Sequence, residues 1–175
     1  MVSRKTLMAS AVLAAAAACL PSAARAQAYL DMVAQGPGVC QASLPSFEGQ
    51  IRKRPLAIQN EGAGVAYVTC AIPQFSDADV GDPDYGVAVT FINNGDSDAT
   101  INCTGVSLGG VTAIAYIPQT VTVPANTPVE EGVSLNWDET DGNGSGSYTT
   151  TSCALPPGTG ITFVHSLAGQ VSIPE

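Results

Sequence analysis

From position 27 onward, apolar and polar residues alternate with a period of two and almost nowhere with the 3.6-residue period of a helix. Residues 65–72 place Ala66, Val68, Cys70 and Ile72 on one face, and residues 86–92 do the same for Val87, Val89 and Phe91. Asn93-Asn94-Gly95-Asp96 follows, a hairpin signal because Asn and Gly tolerate positive φ. Alternation resumes with Ala99, Ile101 and Cys103 on a shared face. The same pattern predicts strands at 111–117, 120–123, 133–137, 147–155, 161–167 and 170–173. Breakers separate them: Gly109-Gly110, Pro118, Pro124, Pro128, Asp141-Gly142-Asn143-Gly144 and Pro156-Pro157-Gly158. Residues 28–34 are the one helical candidate, and no internal repeat is apparent. Short strands with a turn signal roughly every ten residues predict an all-β antiparallel sandwich, immunoglobulin-like or jelly-roll-like, of about nine strands.

The amino-terminal segment has a different pattern. Arg4 and Lys5 precede an uncharged Ala/Leu/Val run over residues 6–20, and Ala24-Arg25-Ala26 closes the segment. This is the layout of a secretory signal peptide, so cleavage is expected after Ala26. Residues 1–26 are then an address, and residues 27–175 a single domain secreted to the periplasm or the extracellular space. A rival reading makes Cys19 a lipid-attachment site behind Ala16-Ala17-Ala18. The apolar run is shorter than the roughly 20 residues a spanning helix needs, so no membrane insertion is expected after cleavage.

Charge narrows the functions. Fifteen acidic residues face six basic ones, for a net charge of −9, and only 12% of residues are charged. Nothing basic follows Arg54. A nucleic-acid partner requires Lys and Arg to displace phosphate counterions, and an anionic membrane requires a polybasic patch, so both are excluded.

Setting Cys19 aside, Cys40, Cys70, Cys103 and Cys153 form an even set in an exported chain, which reads as two disulfides. No C-x-x-C pair is present to suggest a zinc site. Four cysteines allow three pairings. Cys40–Cys70 and Cys103–Cys153 are expected because each joins segments flanking one half of the chain. Their place on apolar faces predicts bridges that cross the core. Each loop closure is worth about 3.5–4 kcal/mol in the chain-entropy model.

Candidate chemistry is sparse. Gly105-Val106-Ser107-Leu108-Gly109 matches the G-x-S-x-G nucleophile pattern, with Asp138 or Asp141 and His165 following in hydrolase order. The motif works only on a strained strand-to-helix turn, and here it leads into a β-branched, strand-like stretch. His165, the single histidine, reads as structural. Glu130 and Glu131 are adjacent and on a strand point to opposite faces, so they cannot act as a glycosidase pair. Asp77, Asp79, Asp82 and Asp84 crowd one Gly- and Pro-containing loop. The plain reading is a solvated acidic loop. The functional one is a low-affinity calcium site, which requires about 6–8 oxygen ligands. Residues 138–143 are a second such stretch. Arg52-Lys53-Arg54 reads as a solvated loop paired with nearby acids. Trp137, Tyr148, Tyr67, Tyr85 and Tyr116 read either as packing aromatics or as a sugar-stacking platform.

Gly38-Val39-Cys40, Ile58-Gln59-Asn60-Glu61 running to Val68-Thr69-Cys70-Ala71-Ile72-Pro73, Ile101-Asn102-Cys103, and Cys153-Ala154-Leu155-Pro156-Pro157 with Gly160-Ile161 together resemble a group of uncharacterised bacterial secreted β-sandwich proteins. Ala71 stands where that group carries Pro. The resemblance implies a two-disulfide sandwich and no particular ligand or activity. The sequence therefore points to an exported, non-catalytic structural or interaction protein of the cell surface or matrix, with no cofactor. The alternative is a carbohydrate- or polymer-binding module, calcium-stabilised if the acidic loop binds metal. The partner expected is an extracellular protein or a polysaccharide.

Overall fold

The structure, a computed structural model, describes residues 27–73, 85–109, 113–137 and 146–172. The chain order is β1 (Gln27–Gln35), a single helical turn α1 (Gly36–Val39), β2 (Cys40–Ala42), β3 (Ile51–Lys53), β4 (Ile58–Asn60) and β5 (Ala66–Ala71). Then come β6 (Tyr85–Asn93), β7 (Ala99–Gly109), β8 (Ala113–Val123), β9 (Val133–Trp137), β10 (Gly146–Leu155) and β11 (Thr159–Ser172). A six-stranded sheet runs β3-β4-β11-β6-β9, with β1 also paired to β11. A five-stranded sheet runs β2-β5-β10-β7-β8. Every pairing between these strands is antiparallel. This is the all-β sandwich that the period-two pattern implies.

Alternation decides what is buried. Ala66, Val68, Cys70 and Ile72 face inward, as do Val87, Val89 and Phe91, and Ala99, Ile101 and Cys103. Trp137 and Tyr148 join them from the two sheets, with ring centroids 6.4 Å apart. The indole N–H of Trp137 donates to the carbonyl of Ile117 at 3.1 Å, so the largest core side chain is polar-satisfied across the layers. Among the described residues, no buried side-chain nitrogen or oxygen lacks a partner.

Several expectations are corrected. Residues 28–34 form strand β1, not a helix, because they add to the free edge of β11. Its length there lets backbone pairing outweigh a weak local preference. Pro118 does not end a strand: β8 runs through it, on the sheet's outer edge where a missing N–H costs no ladder bond. Residues 161–167 and 170–173 belong largely to one strand, β11. A register shift between Ile161 and Phe163 buries Ile161 and Thr162 and turns Phe163 and His165 outward, so Ile161 does not share a face with Phe163 and His165. Strands β2, β3 and β4 are three residues each, too short to leave a periodic signature.

The disulfides join Cys40 to Cys70 and Cys103 to Cys153. Neither crosses the core. Cys40 lies opposite Cys70 on β2 and β5, and Cys103 opposite Cys153 on β7 and β10, so both bridges lie within the five-stranded sheet. The cysteines are on apolar faces as expected, but a directly opposed neighbour in the same sheet is nearer than any residue of the facing layer, about 10 Å away.

Candidate functional site

The five-stranded sheet turns an uncharged face to solvent. None of its strands carries Asp, Glu, Lys, Arg or His, in a protein whose net charge is −9. Thr favours strands, and Thr, Ser and Asn can face water on a pleat without carrying charge. Register places Gln41, Thr69, Ser152, Thr104 and Pro118 in one row across all five strands. The next row holds Tyr67, Ala154, Asn102 and Thr120, and the row on the opposite side holds Ala71, Thr150, Val106 and Tyr116. Thr120 donates to Asn102 Oδ1 at 2.9 Å, which orients that amide and leaves its N–H groups directed to solvent. Ser43 and Thr69 share a hydroxyl bond of 2.7 Å.

Two aromatic rings stand on this face. Tyr67 is 48% exposed and braced by Phe47 at a centroid distance of 5.5 Å, and Tyr116 is 69% exposed. They are three strand spacings apart laterally and four residues apart along the strands, a diagonal of roughly 20 Å. Hydroxyls of Ser152 and Thr104 lie between them. Beyond Tyr116 the face becomes apolar, where Leu108 pairs with Ile114, 60% exposed.

A cleft of about 300 Å³ opens at the end of the sandwich, lined by Gln59, Asn60, Glu61, Gly62, Asn94 and Gly158. Its floor residue, Asn60, spends its side chain on the fold, donating to the carbonyls of Gly64 and Leu155 and accepting from Gly62 N–H. At its rim Glu61 pairs with Arg54 at 2.6 Å in an exposed position. The polar side chains left to face the cleft are those of Gln59 and Asn94.

The other sequence candidates do not assemble. Ser107 is buried within the continuous strand β7, so Gly105–Gly109 makes no nucleophile turn. His165 lies on the outer face of the six-stranded sheet, edge-on to Phe163, with Nδ1 3.9 Å from Asp31 Oδ1. That puts Ser107 and His165 in different sheets. Glu130 and Glu131 are both exposed on a 3₁₀ turn (Val129–Glu131) rather than on a strand. Arg52 and Lys53 are on the edge strand β3, and Arg52 donates to the carbonyls of Glu48 and Ile51. Asp77, Asp79, Asp82 and Asp84, the second acidic stretch at 138–143, and the residues assigned to the signal peptide lie outside the described residues. Among the described residues no three His, Cys, Asp or Glu side chains cluster as metal ligands, and no helix is long and apolar enough to cross a membrane. The signal for the uncharged face was present in the sequence as strands free of charge, but only register reveals that Tyr67 and Tyr116 share it.

No protein-family model matches the sequence, and no curated protein matches it. Among solved structures, the chain is similar to the C-terminal CBM6 of a marine laminarinase from Zobellia galactanivorans, with 10% identity over 78% of this chain and 98% of that one and a TM-score of 0.47. It is similar to a CBM35 from Cellvibrio japonicus at 14% identity over 83% and 99%, with a TM-score of 0.43. It is similar also to the xylan-binding module CBM15, at 10% identity over 86% and 100%, with a TM-score of 0.42.

Proposed function

We propose that this chain is a non-catalytic, exported binding module that holds a neutral polysaccharide across the outer face of its five-stranded sheet. The observation that carries the reading is the charge-free face with two exposed tyrosines at opposite corners and a hydroxyl and amide lattice between them. An uncharged polyol offers hydroxyl groups to Thr, Ser and Asn and apolar ring faces to Tyr, and it forms no ion pairs. The diagonal from Tyr67 to Tyr116 matches a short oligosaccharide laid across four strands. Two disulfides suit an oxidising compartment outside the cytoplasm.

Native affinity electrophoresis against a panel of neutral polysaccharides, with an anionic one as control, tests this. Retardation is expected on at least one neutral polymer and none on the anionic one. Tyr67→Ala and Tyr116→Ala should each weaken binding by roughly 3–10-fold. Absence of retardation on every neutral polymer overturns the reading, and so does binding that both substitutions leave unchanged.

The apolar corner of Leu108, Ile114 and Tyr116 supports a second reading, a structural or interaction protein of the cell surface that docks a protein partner there. That reading expects Ile114→Asp to abolish assembly on the cell surface while leaving any glycan binding intact.

A further inference from the structure

Strand β1 is held differently from the core strands. Among the described residues its one strand partner is β11, with register running from Gln27 opposite Ser172 to Gln35 opposite Phe163. Among the side chains described on it, little burial secures it: Asp31, Gln35, Met32 (38%) and Val33 (52%) are exposed and Ala34 is half-buried. Over residues 31–35, backbone bonds to β11 therefore supply most of the attachment. The next buried residue is Gly36, where the one-turn linker Gly36–Val39 begins. Immediately after that linker, Cys40 is tied to Cys70. The disulfide fixes the chain from residue 40 onward and leaves β1 as a tethered arm ahead of it.

The linker is tight at one end and open at the other. A Cβ at Gly36 would run into the carbonyl of Ile161, so the chain passes against β11 with no room for a side chain. A Cβ at Gly38 meets nothing within 4 Å. A short, constrained hinge holding such a strand on an otherwise long free edge is the arrangement in which two copies can trade the strand. The backbone bonds that break on opening re-form in the second copy, because the new occupant of the edge has the same sequence.

We infer that β1 is an exchangeable strand, and that the β11 edge it covers is a docking surface for β1 of a second copy of this chain. A closed, reciprocal dimer results. The tethered strand competes with the second copy at an effective concentration in the millimolar range, so the native chain is monomeric when dilute and dimerises as it approaches that range. The hinge sets the balance. Shortening it prevents β1 from folding back onto its own β11 and favours exchange, while lengthening it favours the monomer.

The test is light scattering coupled to size exclusion on the exported chain over a concentration series. Deleting Pro37 and Gly38 is expected to lower the dimer dissociation constant by at least roughly tenfold, and inserting a Gly-Ser pair after Gly38 to raise it by a similar factor. Val33 and His165 are directly opposed across the β1–β11 pair, so V33C/H165C, oxidised in the dimer fraction, should give a covalent dimer on a non-reducing gel. If the deletion prevents folding, the insertion and the cysteine pair still decide. A native chain that stays monomeric up to millimolar concentration overturns the inference. So does a dimer in which the introduced cysteines link within one chain, since that dimer forms without exchange.

Discussion

Asn60 and Asn93 make the same three hydrogen bonds. In each case the side-chain Oδ1 accepts the N–H of the residue two positions on, Gly62 or Gly95, at 2.9 Å. Each Nδ2 donates to the carbonyl four positions on, Gly64 at 2.7 Å or Ser97 at 2.9 Å. Each also donates to the last residue of a strand in the five-stranded sheet, Leu155 of β10 at 2.7 Å or Val123 of β8 at 3.2 Å. Both side chains are buried. Both close an arch that leaves the six-stranded sheet and enters the five-stranded one, and in both the next landmarks are a buried Ala, Ala66 or Ala99, and then a bridged Cys, Cys70 or Cys103, at matching spacing. The strand-arch-strand unit β4–β5 is thus repeated as β6–β7.

Removing either amide strips two donors and one acceptor from a buried turn and leaves carbonyls unpaired. Asn60→Ala and Asn93→Ala should each cost about 2–4 kcal/mol, a fall in Tm of roughly 5–10 °C for a domain of this size. Thermal unfolding followed by circular dichroism measures it. Asn60→Asp and Asn93→Asp should be nearly as damaging, because a carboxylate still accepts from the glycine N–H and cannot donate to either carbonyl. If the aspartate variants melt at the native temperature, the donor bonds are not what holds the arches.

The Asn93 arch also protects its neighbour chemically. Asn94 is exposed and precedes Gly95, the pairing in which a backbone nitrogen attacks the side-chain amide and releases ammonia. Here the Gly95 N–H is engaged by Asn93 Oδ1. Incubation at mildly alkaline pH followed by peptide mapping should show slow deamidation at Asn94 in the native chain and several-fold faster loss in Asn93→Ala. Equal rates would mean the bond offers no protection.

How much of this was legible follows from how each feature is encoded. The long inward-facing sets, such as Val87, Val89 and Phe91, announce themselves because burial on one face of a pleat forces alternation. The repeat is hidden in the sequence because its two copies share only Asn, Gly, Ala and Cys identically; Val68 and Ile101 match only as buried aliphatics, and most of the other residues between answer to solvent. Strands β2 to β4 are too short for periodicity, and β1 reads as a helix because its edge position requires little burial to stabilise it. Bulges at 162 and 149 shift the phase within β11 and β10, which no fixed period anticipates. The cysteines are legible as a set, but whether a bridge joins layers or neighbours depends on register. The same holds for the candidate face: freedom from charge can be read residue by residue, while the diagonal of Tyr67 and Tyr116 exists only once four strands are in register.

The two bridges close loops of 50 and 30 residues within one sheet. In the chain-entropy model each contributes about 3.5–4 kcal/mol, slightly more for the longer loop. Cys103→Ala/Cys153→Ala should therefore destabilise somewhat more than Cys40→Ala/Cys70→Ala, and denaturant titration of the two double variants makes the comparison. The β2–β5 bridge has a second consequence. It anchors the chain just past α1, so its loss should free residues 40–42 along with β1, seen as faster amide exchange across both β2 and β1. The β7–β10 variant should leave that exchange unchanged.

Gly105 lies beneath the single tryptophan. A Cβ there would sit 3.1 Å from the Trp137 indole, closer than a side chain tolerates unless the ring moves. Gly105→Ala should displace the ring, stretch its bond to the Ile117 carbonyl and cost about 1–3 kcal/mol. Gly105→Val should cost more, since the branched side chain needs volume that Trp137 already fills. Because Trp137 is the only tryptophan, its fluorescence reports the displacement directly: a red-shifted native emission is expected, larger for Val than for Ala. An unshifted spectrum with native stability would show that the core relaxes around the methyl.

Strand β8 is eleven residues long and ends the five-stranded sheet, with β7 on one side and, among the described residues, no strand on the other. Long, uncharged edges recruit other chains through their free N–H and C=O groups, and this one also carries exposed Ile114 and Tyr116. Pro118 interrupts it near the midpoint. Opposed disulfide partners occupy non-hydrogen-bonded sites, so Cys103 pairs its backbone with β8, and the alternation puts the Thr104–Pro118 pair out of the ladder. The missing N–H therefore faces outward and removes a donor from the free edge without weakening the sheet. Pro118→Thr should leave the melting temperature within a degree or two and raise concentration-dependent association, read by light scattering and thioflavin fluorescence. Ile114→Lys in the same chain should reverse that association by placing charge on the edge. If Pro118→Thr stays as soluble as the native chain, the proline is not what keeps β8 from pairing.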